Sequence, residues 1–224
     1  MDKNQQAITL LNEKKYEEAA QLFNEVIEES PDDPLGYINF GNLLMKLDEA
    51  ERAERFFLRA IELDEKAAAA HYGLGNLYFE QEHYEKAGQS FLKAIEEGLE
   101  EADAYFMLGM CFRNQEQWKL SLPYLLRATE IEPNDENFLF QYGLSLAQAE
   151  FLEEAQQTFE KVLELDEAHS DAYYNLGVIA LFHEKIKEAQ HHFETALELQ
   201  PDHMLAANGK KIALQYMEEQ SEDK

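Results

Sequence analysis

The chain has 224 residues, 45% of them hydrophobic, and its 46 acidic and 19 basic residues give a net charge of −27. This hydrophobic content is typical of a folded globular chain rather than a disordered one. No lysine- or arginine-rich patch is present to neutralise phosphates, so we expect no direct binding to nucleic acid. The single cysteine excludes an internal disulfide, and because no apolar run approaches the length of a membrane span, we expect no membrane association.

A small residue recurs every 34 positions along the chain. Large apolar residues, mostly phenylalanine, follow each of these small residues at a constant distance. The small series is Ala7, Gly41, Gly75, Gly109, Gly143 and Gly177, and the large series is Phe23, Phe57, Phe91, Leu125, Phe159 and Phe193. The period predicts six tandem repeats, at residues 1–33, 34–67, 68–101, 102–135, 136–169 and 170–203.

Each repeat has the pattern of two amphipathic helices that cross closely at their small residues. We expect Gly41 to lie opposite Ala53 and the ring of Phe57 to fill the wedge against the next repeat. A single repeat cannot bury its apolar face, so the repeats must stack on one another.

Several departures from the repeat occur along the chain. The second repeat begins at Pro34, a residue favoured in the first turn of a helix, and it carries five basic residues, more than any other repeat. In the fourth repeat, Pro123 falls inside the predicted second helix, which we expect to kink or to begin late. Residues 204–217 predict a capping helix, and residues 218–224 predict a polar tail.

A 34-residue unit with these landmarks resembles the tetratricopeptide repeat (TPR), and the resemblance covers residues 1–203. The aromatic residue that precedes the glycine in the family is present as Tyr37, Tyr105 and Tyr173. The resemblance implies an all-α fold, a right-handed superhelical solenoid of helix-turn-helix repeats with a C-terminal capping helix.

Residues 4–8, 37–40 and 200–206 further resemble the YrrB-type stand-alone TPR proteins of Gram-positive bacteria. These are generally described as cytosolic adaptors without a catalytic domain, in a gene neighbourhood shared with tRNA-thiolation enzymes. The resemblance therefore implies a bacterial scaffold that assembles other proteins, with tRNA-modification enzymes as one partner class. No cleavable signal peptide is visible, and we expect a cytoplasmic protein.

The sequence offers no convincing catalytic constellation. His191 and His192 are adjacent, so on a helix they point about 100° apart, and His183 lies one helix away. The glycines occur singly and never form a phosphate-binding loop. We therefore expect no enzyme activity, no catalytic residues, no cofactor and no metal.

In TPR arrays the first helix of each repeat lines a concave groove. Helical spacing assigns to it the second, fifth, sixth, ninth, twelfth and thirteenth residues of each repeat, here called the inner positions. Only five of the thirty inner positions in repeats two to six are charged, in a chain that is 29% charged. The candidate peptide-binding residues are Asn39, Asn42, Lys46, Tyr72, Asn76, Phe106, Met110, Arg113, Phe140, Gln141, Tyr174 and Asn175.

Aromatic, methionine and carboxamide side chains can cover an apolar side chain and hydrogen-bond a peptide backbone. The alternative is that some of them only pack against neighbouring helices. The two-carboxylate clamp of one TPR subclass is disfavoured, because Ile38 stands where a clamp lysine is needed. The amides Gln5, Asn39, Gln141 and Asn175 at the sixth position resemble instead the asparagine ladder of other TPR proteins.

We favour an adaptor that binds a partner's peptide or helix in this groove. Two other readings stay open: a structural protein that self-associates, at least weakly, and a partner that docks on the acidic convex face. Strong dependence of binding on salt would favour the convex face.

Overall fold

The computed structural model describes the backbone of residues 2–222 and the side chains of residues 2–219. Within that range the chain forms thirteen α-helices and no strand. The helices are α1 (Lys3–Asn12), α2 (Tyr16–Glu29), α3 (Pro34–Lys46), α4 (Ala50–Leu63), α5 (Ala68–Glu80), α6 (Tyr84–Glu96), α7 (Ala102–Asn114), α8 (Trp118–Ile131), α9 (Glu136–Gln148), α10 (Leu152–Leu165), α11 (Ser170–Phe182), α12 (Ile186–Leu199) and α13 (Met204–Glu222). The predicted all-α fold of helix-turn-helix repeats is confirmed.

The helices fall into two compact units, Met1–Gln117 with α1–α7 and Trp118–Lys224 with α8–α13. Inside each unit the two helices of every repeat that lies whole within it pack against each other, and the neighbouring helices of the adjacent repeats pack on that pair. None of the helices within residues 2–222 combines the length and the apolar character needed to cross a bilayer.

In the first unit, a buried phenylalanine ring lies between two glycines from successive repeats. Phe57 on α4 is fully buried, with Gly41 of its own repeat on one side and Gly73 of the next repeat on the other. A Cβ atom added to Gly41 would come within 2.7 Å of the ring, and one added to Gly73 within 2.5 Å. Such distances are sterically forbidden, so both glycines are needed for the helices to close on the ring. The wedge predicted for Phe57 is confirmed, and this ring, rather than Ala53, is the group that crowds Gly41.

The second unit repeats this contact at its carboxyl end. The ring of Phe193 on α12 lies between Gly177 on α11 and Gly209 on α13, and a Cβ on either glycine would approach it to 2.6 Å. Gly209 thus docks the capping helix on the last repeat. Lys210 strengthens the junction through an ion pair of 3.0 Å with Glu194.

The turn inside each repeat uses a left-handed residue that is never glycine. These residues are 34 apart, with φ between 58° and 68°: Lys14, Asp48, Glu82, Glu116, Glu150 and Glu184. In the third repeat, the amide of His83 donates to the carbonyl of Tyr78 and that of Glu82 donates to Phe79. This is a Schellman motif, which satisfies the last carbonyls of α5 and reverses the chain into α6. The period shows in the sequence, but the absence of glycine hid the left-handed geometry.

Two expectations for helix bounds are corrected. Helix α8 begins at Trp118, in step with the second helices of the other repeats, so Pro123 does not delay its start. Helix α13 continues to Glu222, beyond the expected end at residue 217, so most of the expected polar tail is helical. Residues 223 and 224 of that tail lie outside the described part of the chain.

We predict that Gly75→Leu lowers the free energy of unfolding by several kcal/mol, because a Cβ at this position already meets the buried Phe91 ring at 2.7 Å. Overpacking of a tight core typically costs about 1–3 kcal/mol or more. The matched control is Gly88→Ala, where the new Cβ would lie an ordinary 3.5 Å from Cys111. Alanine has the higher helix propensity, so this control should stabilise by up to about 1 kcal/mol. Thermal denaturation followed by circular dichroism measures both, and an unchanged melting curve for Gly75→Leu would contradict the packing described.

Candidate functional site

A cavity of about 370 Å³ opens on the first helices of three successive repeats in the first unit. We call it the groove pocket. Gly73 lies in its lining, on the helix α5 that also carries Asn76, Phe79 and Glu80. Its lining is Asn42, Met45, Lys46, Gly73, Asn76, Phe79, Glu80 and Met107. All eight residues fall at inner positions, so the pocket lies on the surface that the repeat pattern assigns to the groove.

The polar groups of the groove pocket are mostly unused by the protein itself. Asn42, Lys46 and Glu80 are exposed, and none of them makes a hydrogen bond or ion pair with the described side chains. The amide of Asn76 bonds to the phenolic oxygen of Tyr72, while burial raises the pKa of that phenol. The pocket therefore offers free amide donors and acceptors between apolar walls.

The aromatic side chains at the fifth residue of a repeat pack against other rings of the protein. Tyr72 lies with its ring centre 5.5 Å from that of Phe91, and Phe140 lies 5.8 Å from Phe159. Tyr174 contacts the rings of both Phe193 and His203. All three are half-buried, and Ile38 at the same position is buried among alanines of the second and third repeats. These side chains form the base of the inner surface and expose only part of themselves to a ligand.

The amides at the sixth position differ in how far they are engaged. Asn39 donates to the side-chain oxygen of Asn4 at 2.8 Å, which joins the first and second repeats. Asn175 donates to the carbonyl of Asp171 in its own helix. Gln141 donates weakly to Asn137 at 3.4 Å, and its buried carbonyl oxygen has no partner. The ladder of free amides predicted at the sixth position is thus partly consumed by intramolecular bonds.

Arg113 ends the inner face of α7 with unused hydrogen-bond donors. Its Nε is buried without a partner, and its Nη1 lies 4.0 Å from the sulfur of Met110. It makes no ion pair with the described residues, and burial lowers its pKa. Phe106, the remaining candidate in this unit, is half-buried on the same helix.

In the second unit, apolar side chains project from the inner face of α11. Val178 is 42% exposed and Phe182 is 72% exposed. The two side chains give the second unit an apolar inner surface.

The list of candidate residues missed four of the residues that line the groove pocket with side chains: Met45, Phe79, Glu80 and Met107. Each lies at an inner position, so the period was sufficient to find them. They were not chosen as candidates because amides and the aromatic residues at the fifth position were preferred. Methionine is an informative signal here, because its flexible thioether adapts to ligands of different shape.

No group of three potential ligands for a metal ion occurs among the described residues. The rings of His191 and His192 lie 6.0 Å apart, and burial lowers the pKa of His192. Cys111 is buried, which raises the pKa of its thiol to about 12 and keeps it protonated at neutral pH.

Comparison with known proteins identifies the family to which this architecture belongs. Models of the tetratricopeptide repeat match residues 10–64, 38–98, 76–136, 141–185 and 170–203. No curated protein matched the chain. Among solved structures, the chain is 45% identical to YrrB, described as a TPR protein with an unusual peptide-binding site. That alignment covers 86% of this chain and 99% of YrrB, with a TM-score of 0.83.

More distant structures share the fold. MamA is 20% identical, covering 74% of this chain and 90% of its own, with a TM-score of 0.69. PilF of Pseudomonas aeruginosa is 16% identical, covering 92% and 94%, with a TM-score of 0.75. The repeat models across most of the chain and the identity to YrrB show that this chain belongs to the tetratricopeptide repeat family.

Proposed function

We propose that the protein is a non-catalytic adaptor that binds an extended peptide segment of a partner protein in the groove of its first unit. The observation that carries the proposal is the groove pocket, which spans α3, α5 and α7 and combines the unpaired amide of Asn42 and the partly engaged amide of Asn76 with methionine and phenylalanine walls. YrrB, at 45% identity, is described as having a peptide-binding site.

The composition of the pocket suits a peptide backbone. Asn42 and Asn76 each carry both a donor and an acceptor, which matches the alternating N–H and C=O groups of an extended chain. Met45, Phe79 and Met107 provide apolar surface for one side chain of the ligand. A volume of about 370 Å³ is near the lower end for ligand pockets, which favours one anchored residue rather than a whole helix.

Arg113 extends the proposed site along α7. Its guanidinium group makes no ion pair with the described residues, and it can donate to carbonyl oxygens of the same peptide beyond the groove pocket. The buried Nε has no partner within the described residues, and leaving one such donor unpaired is costly.

The partner class and the location are proposed from kinship. YrrB-type proteins are generally described as cytosolic, with tRNA-thiolation enzymes in their gene neighbourhood, and we propose a cytoplasmic scaffold whose first partners to test are such enzymes. Purified enzymes of that class, titrated against the whole chain, test this extension. Failure to bind any of them would remove the partner class but leave the groove proposal standing.

We predict that Asn42→Ala and Asn76→Ala each weaken binding of a groove peptide by about 1 kcal/mol, or roughly fivefold, because each removes a neutral hydrogen bond. The peptide is first selected from a random display library against the whole chain. The matched control is Asn24→Ala on the exposed face of α2, which should leave affinity unchanged. Isothermal titration calorimetry measures all three variants, and equal affinities throughout would place the ligand elsewhere.

Peptide affinity should also change little with ionic strength. Free amides and apolar walls dominate the groove pocket, and the only charged residues in its lining are one cation and one anion, Lys46 and Glu80. Docking on the acidic outer surface would instead weaken steeply as salt screens the charges, because the Debye length falls from about 30 Å at 0.01 M to about 10 Å at 0.1 M. Titrations across that range separate the two, and a strong salt dependence would contradict groove binding.

A further inference from the structure

The second repeat carries a second pocket, on different residues from the groove pocket. Its volume is about 310 Å³, and its lining is Tyr37 on α3 with Arg55, Phe56 and Arg59 on α4. We call it the arginine pocket. Arg55 and Arg59 are four residues apart, so their guanidinium groups leave α4 on the same face, one turn apart.

The two rings form an apolar wall. Tyr37 and Phe56 have their ring centres 6.1 Å apart, and Phe56 in turn packs edge-on against Phe40 at 4.7 Å. Tyr37 is further fixed by a hydrogen bond from its hydroxyl to the carbonyl of Pro31. The wall is therefore held in place by the core, and both rings remain only half-buried.

The cations of the pocket are available to a ligand. Arg55 donates only to the backbone carbonyl of Glu51, at 3.3 Å, and makes no ion pair with the described side chains. Arg59 forms an exposed pair with Glu62 at 3.0 Å and bonds to the phenolic oxygen of Tyr37. Exposed pairs of this kind contribute little, so a ligand carboxylate can compete for Arg59.

This combination occurs in no other repeat of the chain. The position of Arg55 is glutamine in repeats one, three and five, proline in repeat four and histidine in repeat six. At the position of Phe56, repeat four has Tyr124 and repeat six has a histidine. The other repeats have no aromatic residue there. The other repeats stack without these residues. Their joint presence in one repeat therefore indicates a binding role at this place rather than a role in stacking.

We propose that the arginine pocket binds an acidic segment of a partner protein, with a phenylalanine or branched aliphatic residue seated against Tyr37 and Phe56 and flanking carboxylates paired with Arg55 and Arg59. Guanidinium groups match carboxylates in a bidentate geometry, and a pocket of this size accommodates about one large side chain. The site is separate from the groove, so one partner can occupy each.

The net charge of −27 does not prevent this association. At 0.1 M salt the field of distant carboxylates is screened over about 10 Å, whereas a carboxylate in contact with a guanidinium lies well inside that distance. The local attraction therefore comes from Arg55, which has no ion pair, and from Arg59 once the ligand displaces Glu62, while the remaining acidic surface repels acidic segments.

The probe is a fluorescent peptide with the core Asp-Glu-Phe-Glu-Asp flanked by glycines, titrated against the whole chain by fluorescence polarisation. One comparison peptide replaces the acids by Asn and Gln, and another replaces Phe by Gly. The acidic peptide with Phe should bind at least about tenfold more tightly than either, as expected when charge-assisted hydrogen bonds or a buried aromatic group are lost.

The double variant Arg55→Gln/Arg59→Gln should weaken binding of the probe by about tenfold or more. The matched control is Arg52→Gln, on the same helix but paired with Glu49 and outside the pocket, and it should change affinity by less than about twofold. Asn42→Ala/Asn76→Ala should leave probe binding intact, so failure of the groove proposal and failure of this one are distinguishable. Melting temperatures verify that every variant is folded.

Equal binding of the acidic and neutral peptides, or equal losses in the double variant and in Arg52→Gln, would overturn the proposal. Sedimentation velocity tests for another occupant. If the chain self-associates and the double variant abolishes this, the pocket binds a second copy of the chain, and the assignment to a different partner is wrong. A monomeric chain that binds the probe supports the assignment.

Discussion

The fold depends on the contact between a buried phenylalanine ring and the bare backbone of two glycines. At Phe57 and at Phe193 the ring touches one glycine of its own repeat and one of the following element, so a single side chain fixes two helix crossings. Because a Cβ at any of these glycines would approach the ring to less than 3.0 Å, the spacing between helices leaves almost no tolerance. The same contact borders the groove pocket, since Gly73 accommodates Phe57 and is also one of the residues that line the pocket.

This constraint separates the residues that build the repeat from those that distinguish one repeat from another. The large apolar residue, the small residue and the left-handed turn recur every 34 residues and are explained by stacking alone. The groove pocket and the arginine pocket both draw on positions where the copies differ. In a repeat protein, residues that one copy has and the others lack are candidates for binding rather than for stacking.

The fold was predictable because the same spacing of small and large apolar residues occurs in six successive repeats. Ring wedges, the capping helix and the inner positions follow from spacing, and the period contained every residue of the groove pocket. The hydrogen-bond partner of each polar side chain was not predictable. Asn39 and Gln141 hold equivalent positions, yet one bonds to Asn4 and the other retains an unpaired oxygen, since the partner comes from a neighbouring repeat or turn. Of the two alternatives expected at Pro123, a kink or a late start of α8, the late start was wrong, because Pro123 lies well inside a helix whose start the repeat fixes at Trp118.

The chain's own methionines offer the most direct test of groove binding. Its six methionines include Met45 and Met107 in the groove pocket, and Met204 and Met217 on α13. Methyl NMR of the chain labelled at methionine, titrated with the library-selected peptide, reports on both places in one experiment. Groove binding predicts saturable shifts of the Met45 and Met107 methyl signals with Met204 and Met217 unchanged. Saturable binding that leaves Met45 and Met107 unmoved would contradict it.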